Sequence, residues 1–453
     1  MRIDLSRDTA YIFSEWAARY YRYEEDYYRN VLEIFGERGA GKTSAIQDYI
    51  SAHKTKTRYF SFAGMNGTTA LSAFAGAFRL DKENPASWEE AGQLFFQKYH
   101  KEKLHVILDD LAFFPQEREF QNDCFPYMKR GEIVVSVLKR RVNEEWFQSV
   151  DFTDSIFIKW RTLADYCRYF PDYSKQDIVR LFSLTGGVLT ILEELDEHAG
   201  MEENLRTVLR YDSAFSRFVP EWLGEYFRTP ESYYPILNAM ANEKHRLSEI
   251  ARDVGYQNNK CQTYLQALME ANLVRTETTV GSKYVTYHLT NSSVAAWCLF
   301  VYRNRSQQVS DPDGFLRQVM ENIDEKLALP ALYRSCTRYL ERHSKLYLYP
   351  YQEEKTIGQK NGVEYRFKNG STIKLNYVQQ IEARTLVGVM PENLDKKYTK
   401  KEIQRIRFAV SRLETLHNTD IVVFSLHRFS DWCVHEARIN DFFHPVTVER
   451  LKY

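Results

Sequence analysis

The run Gly36-Glu37-Arg38-Gly39-Ala40-Gly41-Lys42-Thr43 constrains this chain more than any other stretch. It matches G-x-x-x-x-G-K-[ST] in full, between the apolar run Val31-Leu32-Glu33-Ile34-Phe35 and the helix-like Ser44-Ala45-Ile46-Gln47-Asp48-Tyr49-Ile50. Strand, glycine-rich loop and helix are the context the motif needs. Glycines let backbone N–H groups close around phosphate oxygens, and the helix N-terminus that follows favours negative charge. In such a loop Lys42 reaches the β- and γ-phosphates while the Thr43 hydroxyl is offered to Mg²⁺. The expected nucleotide-binding residues are therefore Gly36, Glu37, Arg38, Gly39, Ala40, Gly41, Lys42, Thr43 and Ser44, with ATP and Mg²⁺ as cofactors.

A phosphate loop of this kind needs a second, acidic element at the end of a hydrophobic strand. Leu104-His105-Val106-Ile107-Leu108-Asp109-Asp110 supplies it. Asp109 is expected to hold the metal with Thr43, and Asp110 to orient or deprotonate the attacking water, so that Asp110 and Lys42 are the candidate catalytic residues. The run Glu132-Ile133-Val134-Val135-Ser136-Val137 reads as another buried strand. Its Ser136 is either a γ-phosphate sensor or a satisfied core hydroxyl.

At 453 residues the chain is too long for one core and predicts three or four domains. Lys plus Arg (61) balance Asp plus Glu (61), so any basic surface for nucleic acid must be local. The high aromatic share of 15% predicts a chain that is well folded throughout. No run is long and apolar enough for a membrane span, and Met1-Arg2-Ile3-Asp4-Leu5 lacks a signal-peptide core; a cytoplasmic protein without membrane partners is expected. Six scattered cysteines without a C-x-x-C pair predict free thiols rather than a zinc site or a disulfide framework.

Taken in order, residues 1–30 carry an aromatic stripe, Ile12-Phe13, Trp16, Tyr20-Tyr21 and Tyr27-Tyr28, that reads as amphipathic helix, either for packing or as an adenine-stacking platform. Strands at Thr57–Phe62 and Phe157–Trp160 and helices at Thr69–Leu80 and Ser87–Lys103 complete an α/β core over 1–161, a parallel sheet covered by helices on both faces. Residues 162–228 turn helical and read as a lid, broken at Gly186-Gly187. Residues 229–305 give helices at Tyr234–Met240, Leu247–Val254 and Lys260–Ala271. Strand-like runs follow at Leu273–Val280 and Lys283–Leu289, joined at Gly281-Ser282, which is the order of a winged helix. A DNA reader of that kind would use Gln257, Asn258, Asn259, Lys260, Gln262 and Thr263, with Lys283 on the wing. The same fold also serves as a protein–protein or ATPase-control module. Residues 306–453 read as a small α/β domain. It has a helix at 329–343, strands near Leu346–Tyr349, Val363–Phe367, Thr372–Val378 and Arg384–Met390, a helix at Lys400–Leu416, and a final strand Asp420–Ser425.

This order of parts, with the Trp297-containing apolar segment after the winged helix, resembles the prokaryotic archaeal-type ATPases, AAA-related and STAND-like proteins whose C-terminal domain is similar to PD-(D/E)XK nucleases. The resemblance covers most of the chain, and its specific motifs are the phosphate loop and Asp109-Asp110. Members usually carry Glu where this chain has the shorter Asp110, which predicts slow hydrolysis, and Gly-Gly-x-Pro where it has Gly186-Gly187-Val188-Leu189. The resemblance places the nuclease strands at Ile373–Tyr377 and Leu386–Met390. No D…E-x-K set stands there, and Glu341 and Glu382 fall at other spacings, so the domain is expected to be inactive. The cluster Lys396-Lys397-Tyr398-Thr399-Lys400-Lys401 with Arg405 and Arg407 is either a solvated helix end or a phosphate-contacting patch. The functions in competition are an ATP-driven switch, in which nucleotide binding biases the orientation of lid and winged helix and hydrolysis resets it, and a winged-helix DNA-binding regulator whose loop is mainly structural, with a retained active nuclease a distant third. The candidate partners besides ATP are DNA, through the winged helix or the basic C-terminal helix, and a protein.

Overall fold

The computed structural model describes residues 31–53, 56–80, 85–111, 114–128, 134–138, 153–278, 285–347, 362–381, 384–412 and 418–452. The aromatic stripe of residues 1–30, Glu132-Ile133, the Gly281-Ser282 turn with Lys283, Leu348-Tyr349 and Glu382 lie outside them. The chain divides into two compact units. One runs to Trp160 and takes in Val188–Thr190; the other comprises Arg161–Gly187 and Ile191 onward. Among the described residues no helix is long and apolar enough to cross a membrane.

The first unit is built on five strands: β1 Val31–Gly36, β2 Thr57–Ser61, β3 His105–Asp109, β4 Val134–Leu138 and β5 Thr153–Ile158. They lie in the order β2-β3-β4-β1-β5, and each neighbouring pair is parallel. Parallel neighbours require crossovers, supplied here by helices including α1 Lys42–Ala52, α2 Gly67–Ala77 and α3 Trp88–Tyr99. Each of the last two starts on a side-chain cap, Asn66 accepting from Thr69 N and Ser87 from Glu90 N. Val106, Ile107 and Leu108 on β3 are fully buried, the mark of a strand covered on both faces. The aromatic excess goes into this core: Phe60, Phe62, Phe74, Phe78, Phe95 and Phe120 pack with Trp88 over one face. Strand β5 starts earlier than Phe157 because its ladder to β1 runs from Val31 opposite Thr153 to Gly36 opposite Ile158. Pairing extends the strand through residues of weak apolar character.

In the second unit, α4 Leu163–Tyr169, α5 Lys175–Thr185, α6 Met201–Val208 and α7 Ala214–Tyr226 form the helical part. Gly186 ends α5 in a left-handed conformation (φ 62°), its N–H bonding Phe182 O at 2.7 Å. Three helices follow, α8 Tyr234–Ala241, α9 Leu247–Val254 and α10 Asn258–Glu270, then the antiparallel pair β6 Val274–Thr278 and β7 Val285–Leu289.

Beyond α11 Pro312–Ile323 and α12 Leu329–Tyr347 stands the hairpin β8 Val363–Arg366 and β9 Thr372–Leu375. A four-stranded sheet comes next in the order β10 Tyr377–Ile381, β11 Arg384–Val389, β12 Thr419–Ser425 and β13 Phe443–Thr447, with α13 Lys400–Ser411 and α14 Asp431–Ile439 between its strands in the chain. Three expectations change here. Leu346 and Tyr347 continue α12 rather than opening a strand, since no Gly or Pro stops the helix before them. The Thr372–Val378 strand is two strands in separate sheets, broken at Asn376, whose side chain accepts from Met390 N at 2.8 Å. The sheet also ends on β13 and not on Asp420–Ser425; Pro445 masks it in the sequence and is tolerated because β13 is an edge.

Candidate phosphate-binding site

Because the strands of the first unit are parallel, Gly36, Ser61 and Asp109 end β1, β2 and β3 at the same edge of the sheet, where open α/β sheets bind ligands. The loop leaves β1 at Gly36 and is tied down on both sides. Toward β5, Glu37 N bonds Ile158 O (3.2 Å), Glu37 Oε2 accepts from Trp160 N (2.9 Å), and Arg38 O accepts from the Trp160 indole (2.7 Å). On the other side Leu189 N donates to Gly39 O at 2.6 Å, and a side chain at position 41 would collide with Leu189. Gly41 is also left-handed, with φ 96°, and it is this backbone that favours glycine there, since the end of the Leu189 side chain can turn aside. It is the N-cap of α1 and gives that helix no side-chain cap. Ala40 is buried, Lys42 and Ser44 are half-buried and Thr43 is exposed. The Lys42 ammonium donates to the carbonyls of Gly36 (2.7 Å) and Glu37 (2.9 Å), folded over the loop it would serve.

The acidic pair is anchored to β2. Asp109 stands opposite Ser61 in the ladder. Its Oδ2 accepts from the Tyr59 hydroxyl (3.0 Å) and its Oδ1 from Asp110 N (2.8 Å). Asp110 Oδ2 accepts from the Ser61 hydroxyl at 3.0 Å, and Asp110 itself is left-handed with φ 55°. Asp is among the residues that bear that conformation at low cost. Burial, and then the Asp109 charge, push the Tyr59 phenol above its ordinary range, so it stays a donor. Tyr59 and Ser61 were not foreseen as partners; their period-two spacing on β2 was the available signal. Ser136 lies on β4, between the loop strand and the acidic strand, opposite Leu32 and Ile107.

The other nominated residues fall in the second unit. Gln257, Asn258, Asn259, Lys260, Gln262 and Thr263 are exposed at the start of α10. Lys260, however, lies 4.2 Å from the Tyr256 ring centre and 5.8 Å from that of Tyr264. The basic cluster is largely engaged within the chain. Lys396 pairs with Glu402 (2.6 Å), Arg407 with Glu436, Lys400 lies over Trp432, and Arg405 donates to Ser371 Oγ (2.7 Å) over the Phe367 ring. Lys397 and Lys401 are exposed, as is Glu341.

No family model matches the chain. It is similar to the uncharacterized protein MJECL04 of Methanocaldococcus jannaschii, 21% identical over 285 residues that cover 58% of this chain and 62% of the relative. The chain thus spans about three-fifths of the length of that curated relative. Among solved structures, Cdc6p from Pyrobaculum aerophilum matches with a TM-score of 0.35 and 11% identity, over 71% of this chain and 95% of that one. Drosophila ORC bound to AT-rich DNA and Cdc6 matches with a TM-score of 0.29 and 11% identity, over 65% and 91%.

Proposed function

We propose that this chain is an ATP-binding, slowly hydrolysing P-loop ATPase that works as a nucleotide-dependent switch. The observation that carries the reading is the loop itself: a left-handed Gly41 opens α1 without a side-chain cap, while Lys42 spans the Gly36 and Glu37 carbonyls. The uncapped first turn presents N–H groups that a phosphate satisfies, and the ammonium exchanges weak carbonyl partners for phosphate oxygens.

Thr43 and Asp109 fit Mg²⁺, a hard cation that takes oxygen ligands and is held by few protein groups plus substrate phosphates. When bound, the ion neutralises charge on the β- and γ-oxygens. Asp110 is the acceptor for the attacking water's proton, and its bond to Ser61 places that acceptor toward β2.

We read 1–161 as the ATPase core, 162–228 as the lid, 229–305 as a winged helix and 306–453 as an inactive nuclease-like domain. With Lys260 stacked on tyrosines, the winged helix is better suited to a protein partner than to DNA. Fluorescent ATP binding, with and without duplex DNA, tests the proposal. Binding that requires Mg²⁺ and ignores DNA is expected. DNA binding without any ATP binding would leave the regulator reading in its place.

A further inference from the structure

A cavity of about 480 Å³ lies between α14 and the edge strand β13, in the unit that does not hold the phosphate loop. Its walls combine two chemistries. Phe429 and Val446, both buried, belong to an apolar lining, whereas Arg428, Arg438 and Arg450, all three exposed, line it from the loop after β12, the last turn of α14 and the segment after β13. No Asp or Glu is among the lining residues. Among the described residues none of the three guanidinium groups has a hydrogen bond or ion pair, in contrast to Arg407 and Lys396 of the same domain. One arginine near a helix C-terminus is ordinary, because it complements the helix dipole. Three around one cavity, in a chain whose charges balance, make a local excess that a bound anion would offset.

The size and charge select the ligand. The volume lies in the range of small-molecule sites, which are mostly apolar with a few placed polar groups. Several planar donor forks suit a doubly charged oxyanion better than a single carboxylate, and a phosphate monoester carries about −1.5 to −2 at pH 7. His444 also lines the cavity and is held in place: its Nε2 is 3.0 Å from Asp420 Oδ1, and the buried Asp420 lies 3.2 Å from Arg384. That wall is fixed before any ligand arrives.

We propose that this cavity binds a phosphate monoester carrying a compact apolar body, in the size class of a mononucleotide. The phosphate sits on Arg428, Arg438 and Arg450 and the apolar body on the Phe429 and Val446 side. The same chemistry is offered by a free nucleotide and by the phosphorylated end of a nucleic-acid strand. The full-length Lys42→Ala protein, in which the phosphate loop is disabled, is titrated calorimetrically with AMP, adenosine, inorganic phosphate and a 5′-phosphorylated oligonucleotide. One AMP per chain is expected, with adenosine at least tenfold weaker. Adding Arg438→Ala and Arg450→Ala should weaken AMP at least tenfold, and the Arg438→Lys and Arg450→Lys pair should restore part of it. Tighter binding of AMP, or of the oligonucleotide, names the source. Repeating the arginine substitutions with Lys42 intact should remove this AMP site and leave ATP binding at the loop unchanged. No AMP binding, equal binding by the alanine pair, equal binding of adenosine, or displacement of AMP by an acidic peptide of higher affinity overturns the proposal. Failure of the loop reading would instead show as unchanged ATP binding on Lys42→Ala.

Discussion

The hydroxyl of Ser61 donates to Asp110 across 3.0 Å, so the second carboxylate of the acidic pair is held toward β2. In the sheet β2 lies on the side of β3 away from β4 and β1, the strand that carries the phosphate loop. The residue proposed to activate water near the γ-phosphate is thus held by a neighbour on the far side. Ser61→Ala removes that hold without touching the loop. Steady-state ATP hydrolysis should rise severalfold with ATP affinity unchanged; a fall in rate would mean that Ser61 positions Asp110 productively.

Lys42→Ala takes away the cation proposed to meet the β- and γ-phosphates. The two carbonyl bonds it makes are local and partly solvated, so the unliganded protein should lose no more than about 1 kcal/mol. A ligand at about 100 times its dissociation constant adds roughly 2.7 kcal/mol, and that increment should vanish in the variant. Thermal melting with and without Mg·ATP reads both effects. An unchanged ATP-dependent shift would remove the loop from the binding site.

Leu189 occupies the position where the resembled family carries proline, and its backbone N–H is what bonds Gly39 O at 2.6 Å. Proline has no N–H to offer there. Leu189 begins the short helix Leu189–Leu192, a first helical position where proline is accepted, so Leu189→Pro should fold while losing this tether and part of a buried side chain. The loss of one hydrogen bond of about 1 kcal/mol predicts roughly fivefold weaker ATP binding. Equal affinity in a direct titration would show that Leu189 packs beside the loop without shaping it.

His105, fully buried at the start of β3, has its Nδ1 3.1 Å from the Tyr49 hydroxyl. Burial, and secondarily the charge on His53, lower its pKa from 6.5 to about 3. A folded-state pKa below the unfolded one gives stability that is present above pH 6.5 and is lost as pH falls toward 3, because only the unfolded chain takes up the proton. The slope is at most about 1.4 kcal/mol per pH unit for one group. His105→Gln keeps a hydrogen-bonding group for Tyr49 and cannot titrate. Its urea midpoint should therefore drop less between pH 7 and pH 4.5 than that of the parent, and parallel curves would show that His105 is not the titrating group.

What could be read from the sequence was what chemistry dictates locally. The loop is legible because Gly36, Gly41, Lys42 and Thr43 are each demanded within eight positions, and the buried β3 because Val106, Ile107 and Leu108 form a continuous apolar run. Tyr59 and Ser61 are not legible as partners of Asp109 and Asp110, since the pairing of β2 with β3 joins residues about fifty positions apart and belongs to the fold. The basic run at 396–407 looked like free charge for a related reason: Arg407 finds Glu436 on α14, 29 positions away. Asn376 read as mid-strand because nothing local says that its side chain will cap Met390 N across the sheet.

The last prediction is that the terminal domain does not cut DNA. Cleavage by the nuclease fold proposed for this domain would need carboxylates at the ends of adjacent strands to hold a metal that generates the nucleophile. The positions that should carry them serve packing instead: Asn376 bonds the Met390 backbone, a side chain at Gly388 would run into Leu340, and Met390 is buried. The carboxylate the sheet does bury, Asp420 on β12, lies 3.2 Å from Arg384 and 3.0 Å from His444. An acid placed between a guanidinium and an imidazole serves the fold, and removing its charge should act through stability, because the cations around it lose their counter-charge. Supercoiled and linear DNA incubated with the purified protein in Mg²⁺, and separately in Mn²⁺, should stay intact. Asp420→Asn should lower the melting temperature and leave that result unchanged. Nicking abolished by Asp420→Asn, Glu341→Ala or Glu382→Ala in protein that still folds would show a catalytic set on strands other than those assigned to it.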